Sequence, residues 1–139
     1  MALETAGGGL AFLVGRLIFG AVLGFMGLNH FIGLEGMSGY AASKGVPAPR
    51  LSVAGSGLML VVGGLAIILG VYPLIGAAAI ALFFLGVTPV MHDFWTVEDP
   101  EQRQSEMTNF LKNAALFGAA LVFGALGGID WPYALNIGL

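Results

Sequence analysis

The stretch from Met107 to Gly128, MTNFLKNAALFGAALVFGALGG, most narrows what this chain can fold into. About 20 residues of near-continuous apolar sequence are enough for a helix to cross the ~30 Å hydrocarbon core of a bilayer. The first turns break that pattern. Asn109, Lys112 and Asn113 are spaced i, i+3, i+4 and share one helical face. A lysine flanked by two amides is costly in lipid unless neighbouring helices or water shield it. Snorkelling of the lysine stem accounts for Lys112 but not for the two asparagines. The stretch therefore predicts a buried, paired polar face. It needs partner helices, and the rest of the chain supplies three more hydrophobic runs. Composition agrees: of 139 residues, 58% are hydrophobic and 9% charged, against about 25% charged in an ordinary soluble domain. Such a chain cannot clothe a water-facing surface, so the expected class is an integral membrane protein with a single domain.

The residues before Leu10 carry Glu4 and a glycine triplet but no positive n-region of a secretory signal. The first run, about residues 10–34, is therefore read as a retained span. Within it Arg16, Gly20, Leu23, Gly27 and His30 alternate spacings of four and three and fall on one seam. Residues 35–50 form a loop, with one or two amphipathic turns over 38–44 ended by Gly45. The second run, 51–71, is uncharged. Val71-Tyr72-Pro73-Leu74 then makes a turn so tight that the second and third helices must be antiparallel neighbours. The third run covers 74–91, and the polar segment HDFWTVEDPEQRQSE follows. In it Asp99, Pro100 and Gln102 have the spacing of an N-cap, N1 and N3, so the last helix should start in water and run unbroken into 107–128. Trp95 and Trp131 read as interfacial anchors. The predicted architecture is all-α: an integral membrane four-helix bundle with short turns, spans at about 10–34, 51–71, 74–91 and 107–128, and both termini on one side. Lys44, Arg50, Arg103 and Lys112 fall on the loop side against Arg16 on the other, which places loops 35–50 and 92–106 in the cytoplasm.

The loop-side ends of the predicted helices gather His30, His92, Asp93, Asn109, Lys112 and Asn113, with Glu35 and Glu106 close in sequence. Two histidines, carboxylates and a lysine at one membrane level suit an anionic or quinone head group, or a proton relay. The alternative is that His92 and Asp93 only cap the third helix. No metal site is read here, because the histidines lie on different runs without an HxxxH or ExxH spacing. At the opposite end, Arg16 and Asp130 reach the same level and are expected to form an ion pair, with lipid phosphate as the other anchor for Arg16. The chain has no cysteine, which excludes disulfides and thiol catalysis. It also lacks a GxSxG motif or a GK[ST] phosphate loop. A net charge of −3 argues against nucleic acid as a partner.

With these residues in place, the chain resembles the DoxX family of small four-helix membrane proteins. The resemblance rests on Arg16 with the Gly20 and Gly27 seam, YAASKGVPAP (Tyr40–Pro49), Gly63-Gly64, HDFW (His92–Trp95) and NFLKNAAL (Asn109–Leu116), in that order. It implies a plasma-membrane protein, with some relatives tied to a quinone-linked thiosulfate oxidoreductase and others to redox or oxidative-stress complexes. It also implies that Arg16, His92, Asp93, Lys112 and Asn113 are the recurrent polar positions. Many relatives carry a glutamate in the second helix, where this chain is apolar around Leu60, and an arginine after it, where this chain has Tyr72-Pro73-Leu74. The expected role is an accessory or structural subunit of a larger membrane complex or homo-oligomer. The alternative is a quinone-interacting subunit of a redox system, and a small carrier comes third. No self-contained catalytic site is expected, and no cofactor beyond a bound quinone or lipid.

Overall fold

The computed structural model describes residues 2–139. Among them are five α-helices: α1 (Ala6–Ile32), α2 (Leu34–Ser43), α3 (Pro49–Leu69), α4 (Pro73–Met91) and α5 (Pro100–Ala125). Short 3-10 turns occupy Ala2–Glu4 and Phe94–Thr96. The expected count of four is corrected by α2, which fills what the sequence suggested was a loop with a turn or two. Gly36 and Gly39 lower its helix propensity, but α2 buries Ser38 and Ala41 as it packs on α3. Tertiary contact decides where propensity is indifferent.

The helix ends follow local chemistry. The Thr5 side chain accepts from the Gly8 amide and starts α1 before the first strongly apolar residue. The Asp99 carboxylate accepts from the Gln102 amide at 2.9 Å, with Pro100 at N1, as the spacing predicts. Between α3 and α4 the backbone turns through two left-handed residues, Gly70 (φ 66°) and Tyr72 (φ 44°). That conformation costs a non-glycine residue about 1–2 kcal/mol. Tyr72 is held in it by its amide, which donates to the Ile137 carbonyl at 2.7 Å. The C-terminal tail is thus stitched to the turn: the Leu135 and Ile137 amides donate to the carbonyls of Leu69 and Gly70.

The four long helices pack in the cyclic order α1, α3, α4, α5. The α1–α3 contact is the closest, because glycines meet glycines. A Cβ on Gly27 would lie 2.6 Å from the Gly57 carbonyl oxygen, and one on Gly20 would lie 2.6 Å from that of Gly64. The buried positions of α1 are Gly9, Arg16, Gly20, Leu23 and Gly27, four of the five in the predicted seam; His30, the fifth, is half-buried. The ring closes through aromatic contacts between α1 and the far end of the chain. Phe19 meets Phe123 at 4.9 Å between centroids, and Phe12 meets the Trp131 edge at 5.1 Å. Leu23, Leu60, Ile67, Ile80 and Phe84 fill the interior. Trp131 is buried as well, 1% exposed, with its indole N–H donating to the Leu126 carbonyl. It is a core residue rather than the expected interfacial anchor.

The outer faces are apolar: Ile18 and Phe25 on α1, Leu58 and Val62 on α3, Leu82 and Leu85 on α4, and Leu121 and Val122 on α5 are exposed. Three helical segments, Ala6–Ile32, Pro49–Leu69 and Pro73–Thr96, are long and apolar enough to cross a membrane. The N-terminal part of α5 carries Glu101, Arg103, Glu106 and Lys112, which sets it apart from those three.

Candidate functional site

At the end of the bundle where α1 and α4 finish and α3 begins, α2 lies across the helix ends as a roof. The Tyr40 hydroxyl fastens it, donating to the Met91 carbonyl at 3.0 Å. Beneath the roof is a cavity of about 430 Å³. Met26 and His30 of α1, Met37 and Tyr40 of α2, and Ser52 and Ser56 of α3 line one side. Phe83, Val87 and Met91 of α4, then His92, and Lys112 and Asn113 of α5 line the other. Its position and shape, at one end of the helices and walled mainly by apolar side chains with a few polar atoms, are those of a small-molecule site.

Four of the six predicted head-group residues, His30, His92, Lys112 and Asn113, meet here. His30 packs edge-on to Phe83, and its Nδ1 donates to the Met26 carbonyl at 2.8 Å. His92 Nδ1 lies 2.7 Å from Glu106 Oε2, an acidic partner that was visible in sequence only as a neighbour of the last span. Asn113 is buried, Asn109 half-buried and Lys112 exposed at the rim. Among the described residues no hydrogen bond joins these three side chains, so the predicted buried and paired face is only partly realised. The face straddles the cavity edge, and helical rotation carries Asn113 inward while Lys112 swings out.

Asp93 is directed elsewhere. It pairs with Lys44 at 2.5 Å and accepts from the Thr96 hydroxyl at 2.9 Å. The hydrogen bond from Lys44, then that from Thr96, hold the Asp93 carboxyl below the usual carboxylate range. The same bond to Asp93 raises Lys44 above the usual lysine value. Lys44 and Tyr40 were not anticipated as site residues. The signal for Tyr40 lay in α2 itself, where Gly36, Met37, Tyr40 and Ala41 recur on one helical face and all line the cavity. On the outer surface Arg50 pairs with Glu35.

Arg16 and Asp130 are not joined. Arg16 is fully buried and donates through one Nη to the Tyr133 carbonyl, with its guanidinium 5.9 Å from the centre of the Trp131 ring. Nε and the other Nη have no partner among the described residues. Asp130 is exposed. The helical register that would have aligned it with Arg16 ends at Ala125, where the chain leaves α5 through a turn.

An all-α chain with three membrane-length apolar helices and an apolar outer surface is a membrane protein. The DoxX family model matches residues 11–93, more than half of the chain, and the chain belongs to the DoxX family. His30 and His92 lie within the matched region, Lys112 and Asn113 beyond it. No curated protein and no solved structure matches.

Proposed function

We propose that this protein holds the ring head group of a lipid-tailed molecule of the quinone class in the cavity beneath α2, as a subunit of a membrane redox system. One observation carries the reading: His30 near the end of α1, His92 at the end of α4 and Asn113 midway along α5 converge on a cavity lined largely by methionine, valine and other apolar side chains. Polar groups placed sparingly in an apolar pocket fix the orientation of a ligand whose binding comes mainly from burial. The cavity sits at helix ends, where a head group would rest at the membrane–water boundary while its tail leaves between helices. In this reading α5 is a fourth crossing, the loops around α2 and before α5 face the cytoplasm, and the membrane is the plasma membrane.

The test is titration of a tailed hydroquinone analogue, the dihydroxy member of the class, onto the purified protein in detergent. Loss of a hydrogen bond in a shielded site costs about 1 kcal/mol or more. Asn113→Leu and His92→Ala should therefore each weaken binding roughly fivefold or more. Lys112→Leu, at the exposed rim, should change it less. Equal binding by wild type and all three variants would remove the cavity from consideration.

The second reading, an accessory subunit without a ligand of its own, is favoured by Gly55, Gly86 and Gly118. These glycines are exposed on α3, α4 and α5 with nothing above them, and such positions let a partner helix approach closely. Solubilisation in mild detergent followed by mass spectrometry separates the two: a co-purifying lipid-like molecule supports the first, a stoichiometric partner protein the second.

A further inference from the structure

Hydrogen bonds already made by the cavity wall determine what it has left to offer. A backbone carbonyl only accepts, so any side chain bonded to one has committed a proton. Ser52 donates to the Pro47 carbonyl at 2.7 Å, Ser56 to that of Val53 at 3.0 Å, and Tyr40 to that of Met91. All three hydroxyls line the cavity with their protons spent, and each has only lone pairs to present.

The histidines are committed in the same way. His30 Nδ1 faces the Met26 carbonyl and must carry the proton, so in the neutral ring Nε2 is an acceptor. His92 Nδ1 faces a Glu106 carboxylate oxygen, which accepts when ionised and assigns His92 the same tautomer. Neither Nε2 has a partner among the described residues. Five lining side chains, from α1, α2, α3 and the end of α4, thus offer acceptors. Against them stand Asn113, whose amide both donates and accepts, and Lys112 at the rim.

Resting on the reading of the cavity as a ring head-group site, we infer that it selects a ligand that donates hydrogen bonds: a neutral hydroxyl-bearing aromatic ring, as in a phenol or the dihydroxy form of a quinone. A ring bearing only carbonyl or ether oxygens could pair with Asn113 but would leave both imidazole nitrogens facing apolar surface without a partner. Sites built around a hydroxyl discriminate strongly against analogues that lack it, because their own polar atoms are then stranded. A cationic amine also donates, but Lys112 at the entrance repels it. Glu106 is a positioning residue in this scheme: it holds the His92 tautomer that turns a lone pair, not an N–H, toward the ligand.

The experiment compares a para-alkyl phenol with its methyl ether, two probes of the same tail and ring that differ by one O–H. Binding is measured on the full chain in detergent at about pH 8, above the ordinary imidazole value of ~6.5. The phenol should bind roughly tenfold tighter than the ether. His92→Phe keeps the ring but removes the lone pair, and should lower that ratio while leaving ether binding in place. Glu106→Leu should lower it too, and nitrogen NMR of the histidines should show Nδ1–H on His92 in wild type but a mixture of tautomers in the variant. If neither probe binds, the head-group reading falls and this inference with it. If both bind equally, the cavity is a ligand site and the acceptor assignment alone is wrong. A ratio unchanged in both variants would remove His92 and Glu106 from the selection.

Discussion

Lys44 and Asp93 stand 49 residues apart in sequence and meet at the C-terminal end of α2, with side chains 23% and 22% exposed. The pair ties the end of α2 to the segment after α4, beside the Tyr40–Met91 bond that does the same one turn earlier. Because Asp93 titrates below its ordinary value in the folded protein, its contribution to stability is present above the unfolded value of about 4 and is lost as pH falls through the folded one. Lys44 titrates above its ordinary value, so its contribution persists up to about pH 10.4 and is lost only at higher pH. Asp93→Asn should therefore lower the melting temperature in detergent at neutral pH. The gap from wild type should begin to close below about pH 4. A gap of equal size at pH 3 and pH 7 would show that the pair contributes nothing electrostatic. Sequence could place Asp93 at the right membrane level but not name its partner, since no helical or strand periodicity links residues so far apart. Asn113 was legible because its depth in a hydrophobic run is a local property, as was the seam position of His30.

The elements differ in how openly they were written. The α1 seam could be read directly, because small residues at spacings of four and three have one use in an apolar helix: bringing a second backbone close. The start of α5 was equally plain from Asp99-Pro100. By contrast, α2 was obscured by two glycines and by a face whose apolar members include Gly36 and Ala41, which look indifferent until α3 lies beneath them. The glycines of the structure accordingly divide into two kinds. Gly27→Val should lower the melting temperature sharply, since a Cβ there meets the Gly57 carbonyl backbone at 2.6 Å, and overpacking of this kind costs about 1–3 kcal/mol. Gly118→Ala, where nothing lies within 4 Å, should leave it unchanged or raise it. Parallel thermal melts of the two variants check the contrast; equal losses would mean that the α1–α3 contact is looser than described.

At the scale of the whole molecule, the N-terminal residues Leu3 to Gly9 and the C-terminal residues Asp130 to Tyr133 line one shallow depression, so both chain ends meet at the end of the bundle opposite the cavity. If α5 crosses the bilayer, the chain passes four times. Because the sequence has no cysteine, single substitutions test this without background. Thr5→Cys and Leu139→Cys should react with an impermeant thiol reagent from one side of the membrane, Ser43→Cys and Gln102→Cys from the other. Labelling of Gln102→Cys from the same side as Leu139→Cys would mean that α5 does not cross. Hydrophobic run lengths made the membrane class legible from sequence. The stitching of residues 135–137 to the α3–α4 turn was not, because backbone pairing by an irregular tail leaves no periodic trace.

The burial of Arg16 under that tail has a consequence for how the protein is made. Its acceptor, the Tyr133 carbonyl, follows it by 117 residues. At synthesis rates of about 5–20 residues per second the guanidinium waits roughly 6–23 s for the group that will cap it. Throughout that interval a cation has been delivered toward the bilayer with no protein to receive it, and either the insertion machinery or phospholipid phosphate must shelter it. The final locking of the bundle therefore waits for the segment around Tyr133: a ribosome stalled anywhere before it leaves a nascent chain whose first helix is inserted but whose charge lacks this acceptor.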